Sequence, residues 1–71
     1  MSKELEFFIF LLEQYSSFKN LTADKVLKKW DKAGITNRIF SMYEMYHSES
    51  LENAYNDIDR MLSIETALLQ L

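Results

Sequence analysis

His47 is the single histidine of the chain. It lies in the run Met42-Tyr43-Glu44-Met45-Tyr46-His47-Ser48, which gathers two of the four tyrosines and two of the four methionines. An imidazole with Glu44 and Glu49 nearby is raw material for a general base or a pH switch. A base needs a group to act on, and no serine or cysteine nucleophile is arranged with His47 by any known spacing. The plainer reading is a hydrogen-bonded histidine at a helix end, where the dipole favours its cation. Asp57 and Asp59 are the other constellation, since Asp-x-Asp can hold a divalent cation. On a helix, residues two apart point about 200° from each other, so both carboxylates cannot close on one ion. No calcium-loop spacing surrounds them, and a solvated acidic face is the simpler account. With one histidine and no cysteine, a thiolate or histidine-rich zinc site is excluded within one chain. These residues give no catalytic residue, no cofactor and no metal ligand, so a binding protein is expected rather than an enzyme.

The elements that must carry these residues are helical. A single glycine and no proline disfavour hairpins, because tight β-turns lean on those residues. Four helices are readable. The first runs from about Lys3 to Phe18, with Leu5, Phe8, Ile9, Leu12 and Tyr15 at helical spacing. Phe7, Leu11 and Phe18 widen its apolar stripe to about 200° of the circumference, and Phe10 lies among the polar residues. Such a helix is central to a bundle, or part of it meets another chain. Thr22 is a good N-cap for a second helix, with Asp24 in the first turn and Gly34 at the left-handed position that ends it. Val26, Leu27 and Trp30 form its apolar side, and Lys25, Lys28, Lys29 and Lys32 its wet one. Thr36 can cap a third helix, on which Ile39, Met42, Tyr43 and Tyr46 share a face. Ser48 or Ser50 can cap a fourth, along which Leu51, Ala54, Tyr55, Ile58, Met61 and Leu62 keep the helical period. Continuing that helix places Glu65 on the apolar stripe, so Ser63 is a candidate break. The tail Ile64, Ala67, Leu68 and Leu71 makes its own stripe. The expected fold is all-α, a compact bundle of about four short helices in one domain, residues 1–71.

Charge is unevenly spread over the 71 residues. The net charge is −3; residues 1–34 carry six lysines against five acids, and residues 35–71 carry two arginines against six acids. An acidic half argues against a nucleic-acid surface, which needs a basic footprint. The span Thr22–Tyr43 has a helix-turn-helix outline, but Arg38 is the only fixed cation on its third helix, a poor reader of phosphates. The apolar run Phe7–Leu12 is far too short to span a bilayer and lacks the basic start of a secretory signal. A cytoplasmic location with no membrane partner is expected.

Several features in order resemble a known family. They are the Phe-rich first helix with Glu13 and Tyr15, then Leu21-Thr22-Ala23-Asp24-Lys25-Val26, a Lys-Trp helix ending at Gly34, Tyr43-x-x-Tyr46-His47-Ser48, and Asp57-Ile58-Asp59. The order is similar to that of a small bacterial domain family of about this length, labelled as a domain of unknown function. The resemblance covers roughly residues 5–62 and leaves the tail 63–71 outside. In that family, members are often encoded beside a protein that resembles an ADP-ribosyltransferase toxin. What the resemblance implies is an antitoxin-like or partner-binding role, with no catalytic residues.

Aromatic and acidic residues then become candidate contacts. Phe10, Trp30, Tyr43, Tyr46 and His47 are typical interface anchors and equally typical core residues of a small bundle. Glu52, Asp57 and Asp59 are the carboxylates that would meet basic groups of a partner. The partner is another protein, a toxin in the family reading, or a second copy of the chain in a homodimer.

Overall fold

A computed structural model describes residues 1–69. It is all-α, with α1 Lys3–Phe18, α2 Ala23–Ala33, α3 Thr36–Ser41, α4 Tyr43–Tyr46 and α5 Leu51–Leu69. Helix α1 packs against α2, α3 and α4, and α5 packs against α2 and α4. Central placement of α1 accounts for its wide apolar stripe. Leu11, Leu12 and Tyr15 are buried, and Phe7 and Phe8 are half-buried. Leu5, Ile9 and Phe18 on the stripe stay exposed, as does Phe10 among the polar residues.

The turns follow from backbone bookkeeping. At the end of α1, Leu21 N–H donates to Ser16 O at 2.9 Å and Asn20 N–H to Ser17 O at 3.1 Å. At the end of α2, Ile35 N–H donates to Trp30 O at 3.0 Å and Gly34 N–H to Asp31 O at 3.1 Å. Both are Schellman closures, which satisfy carbonyls the helix leaves orphaned. Each needs one left-handed residue, supplied by Asn20 at φ 57° and Gly34 at φ 74°. Asparagine is among the few side chains that tolerate this region. Ile35, just after the second closure, drops into the core at 5% exposure.

Three expectations about the helices change. Thr36 does not cap α3. The capping position falls to Ile35, and the Thr36 hydroxyl donates instead to Asp31 Oδ1 across the Gly34 turn. The third helix is not continuous either. Ser41 Oγ donates to Arg38 O at 2.7 Å, the carbonyl that an α-helical Met42 N–H would use. Met42 N–H turns to Ile39 O at 3.1 Å, and the chain breaks into α3 and α4. This is local side-chain competition with the helical ladder. Ser63, finally, breaks nothing. Helix α5 runs through it, Thr66 Oγ1 bonding back to Leu62 O at 2.9 Å, and Glu65 is half-buried on the side the pattern assigned to it. Of the two candidate caps for α5, Ser50 serves, its Oγ accepting from Asn53 N–H at 3.4 Å. Ser48 Oγ turns back to Glu44 O and Met45 O and closes α4.

The core joins all five helices around Trp30. Val26, Trp30, Ala54 and Ile58 are fully buried, and Ile39 and Tyr46 are nearly so. Phe8 and Tyr15 pack on the Trp30 indole with centroids 6.0 and 5.5 Å away. The indole N–H meets no acceptor among the described residues, a defect that costs about 1–3 kcal/mol. The core holds Trp30 for its apolar bulk rather than for a hydrogen bond. The tail stripe emerges from this core without a cover, as Ile64 is 54% and Leu68 57% exposed. Leu71 lies outside the described residues.

Candidate functional site

One turn of α5 organises the polar interior. Ile58 points into the core, so Asp57 and Asp59 stand about 100° to either side, at the margins of the buried face. Asp59 Oδ1 accepts from the Tyr15 hydroxyl at 2.7 Å, and Asp59 Oδ2 from Lys19 Nζ at 2.7 Å. Asp57 Oδ2 accepts from the Tyr46 hydroxyl at 2.6 Å, and Asp57 Oδ1 faces Arg60 at 3.4 Å. Each carboxylate thus holds one tyrosine whose ring is buried. Burial first, and the facing carboxylate second, push the Tyr15 and Tyr46 phenols far above their ordinary pKa. Burial, with Glu52 as a lesser influence, raises Tyr55 as well. The expected solvated acidic face at Asp57 and Asp59 is therefore corrected: both are half-buried anchors of the bundle. The signal was in the sequence. An apolar core residue between two acids puts both acids where polar-tipped aromatics surface.

The interface candidates divide in the same way. Trp30 and Tyr46, at 0% and 1% exposure, are core residues and offer no surface to a partner. Asp57 and Asp59 are engaged within the fold. Glu52 is exposed on α5. Phe10, Tyr43 and His47 are brought together on one face of α1 and α4.

That face is built around Phe7. Its ring meets Tyr43 edge-on at 5.7 Å and His47 at 6.4 Å, and Phe10 lies 6.4 Å away. Tyr43 and His47 stack with centroids 4.2 Å apart and planes 2° from parallel. The i,i+4 spacing on α4 brings these rings together, and His47 Nδ1 lies 2.6 Å from Tyr43 O. A carbonyl only accepts, so Nδ1 carries the proton. In the neutral ring Nε2 is then the acceptor. Phe10 is 47% exposed, Tyr43 is half-buried and His47 exposed. Glu6 and Glu13 bracket Phe10 at i−4 and i+3, positions that share its side of the helix. Glu44 adjoins Tyr43. None of these three acids has an ion pair among the described residues, where the carboxylates that pair are Asp57 and Asp59.

Ser48 Oγ, beside His47, is bonded to backbone carbonyls, and no cluster of three or more metal-ligating side chains occurs among the described residues. None of their helices is long and apolar enough to cross a membrane.

The fold and this face define a class: a small all-α bundle that leaves an aromatic, acid-flanked surface open. The family model described as "Protein of unknown function (DUF3791)" matches residues 6–63, and the chain belongs to that family. No curated protein and no solved structure matches it. The matched span contains the buried residues of all five helices and stops just before Ile64, where α5 becomes exposed.

Proposed function

We propose that this protein is a protein-binding module that docks a basic partner on its α1–α4 aromatic face. The observation carrying this reading is Phe10, a large apolar ring 47% exposed on a side of α1 otherwise given to polar residues. Phe10 supplies apolar area, Tyr43 and His47 a polar-tipped rim, and Glu6, Glu13 and Glu44 the charge. Aromatic anchors supply most of such an interface's energy, and the carboxylates speed encounter more than they add affinity. The resemblance implies the kind of partner this reading takes: a neighbouring toxin resembling an ADP-ribosyltransferase, neutralised by occlusion.

Co-expression with the product of the adjacent gene tests this. The two should co-elute, and Phe10→Asp should separate them while leaving the helical spectrum unchanged. Elution as separate species at micromolar concentration overturns the reading. A second reading rests on Leu5, Ile9 and Phe40, each 38–39% exposed. Phe40 packs on Phe8 at 5.7 Å, beside the turn that carries Leu5 and Ile9. The three side chains are uncharged, and Glu6 and Glu13 flank Ile9 at i−3 and i+4. Light scattering checks it: a monomer across a hundredfold dilution removes it.

A further inference from the structure

A different surface has the opposite sign. Between the end of α2 and the latter half of α5 lies an open groove of about 640 Å³. Ala33, Leu62 and Ala67 line its apolar part, with Lys29 and Lys32 on the α2 side. At 100° per residue, Lys25, Lys28, Lys29 and Lys32 fall within about 100° of α2's circumference, a continuous basic stripe. All four are exposed, and none has an ion pair among the described residues. Glu65 also lines the groove, half-buried, and lies more than salt-bridge distance from Lys29 and Lys32. Even with Glu65 counted against them, the four lysines leave this side strongly positive. Ser63 and Thr66 complete the α5 side of the groove.

From these features we infer that the α2–α5 groove receives an amphipathic helix bearing carboxylates, supplied by another protein. Two helices with an open apolar channel between them are the receiving half of helix-in-groove recognition. The unpaired lysines choose the sign of the incoming polar face. Lined over roughly one to two turns of each helix, the groove suits an insert of two to three turns. Apolar side chains at i, i+3, i+4 and i+7 would lie over Ala33, Leu62 and Ala67, and flanking glutamates would reach the α2 lysines. This surface shares no residue with the aromatic face, so the two inferences stand or fall separately.

The test uses two synthetic helical peptides with leucine at i, i+3, i+4 and i+7, one with glutamate and one with lysine at the flanking positions. The glutamate peptide should bind the full chain and weaken steeply with added salt, and the lysine peptide should not bind. The double variant K29E/K32E should lose at least tenfold affinity for the glutamate peptide and gain affinity for the lysine peptide. Ala67→Trp fills the groove without changing charge and should also weaken binding at least tenfold. Circular dichroism confirms that both variants stay helical, as expected for exposed positions. Equal binding of the two peptides, or indifference to both variants, overturns the inference. So does light scattering in which the wild type is an oligomer that K29E/K32E dissolves, because the occupant would then be a second copy.

Discussion

The burial of Tyr15 and Tyr46, and after it the carboxylates facing them, sets how stability responds to alkaline pH. Each phenol has its pKa raised above the ordinary value of 10.0 in the folded chain. Below about pH 10 both folded and unfolded states keep the proton, and the stabilisation is fully present. Above it the unfolded state ionises first, and the contribution is lost as pH rises through the folded value. Denaturant midpoints should hold level from neutral pH to about pH 10 and fall beyond it. Tyr46→Phe should flatten that fall. At neutral pH the same change should cost about 1–2 kcal/mol, since a neutral-to-charged hydrogen bond is lost. Trp30 gives a different contrast. Trp30→Phe keeps ring packing on Phe8 and Tyr15 and removes the orphaned N–H, so it should cost less than about 2 kcal/mol. Trp30→Ala should cost about 3–5 kcal/mol through the cavity it leaves. Thermal denaturation followed by circular dichroism separates the two.

Among elements, the joints discriminate most sharply. At Gly34 an added Cβ would meet nothing within 4 Å, yet φ is 74°. Gly34→Ala should therefore destabilise through backbone strain alone, by about 1–2 kcal/mol. Gly34→Asn should cost less, because asparagine already fills the equivalent position at Asn20. Urea titration of the three proteins checks the order. The joint between α3 and α4 has the opposite logic. Ser41→Ala frees Arg38 O for Met42 N–H, and amide exchange at Met42 should slow. Legibility follows the same division. The bounds of α1, the glycine stop of α2 and the core stripe of α5 could be read from periodicity and capping chemistry. The break at Met42 could not, because it depends on which hydroxyl wins one carbonyl. Thr36 misled for a similar reason: a good capping residue was drawn off by Asp31, a partner that only the turn brings near.

At the scale of the whole molecule, the face that carries the proposed function was only partly visible in sequence. Phe10 stood out as an apolar ring among polar residues, and it is exposed. Trp30 and Tyr46 could not be told from it, because interface anchors and core residues have the same composition and only burial separates them. The separation predicts the outcome of a scan. Phe10→Ala should weaken partner binding by about 2 kcal/mol, roughly thirtyfold, without lowering stability. Tyr46→Ala should lower stability by about 3–5 kcal/mol. Calorimetric titration beside thermal denaturation reads both quantities on the same samples.

The turn Asp57-Ile58-Asp59 has a consequence for the order in which the molecule is made. Its bonds to Tyr15 and Lys19 span 44 and 40 residues, and Ala54, Tyr55 and Ile58 complete a core that otherwise comes from earlier helices. Synthesis proceeds from the N-terminus, so α1 to α4 leave the ribosome before their lid exists. Until residues 55–59 emerge, the Tyr15 ring lacks Tyr55 and its hydroxyl lacks Asp59. A chain truncated short of residue 59 lacks both bonds and is a ready substrate for chaperones and proteases.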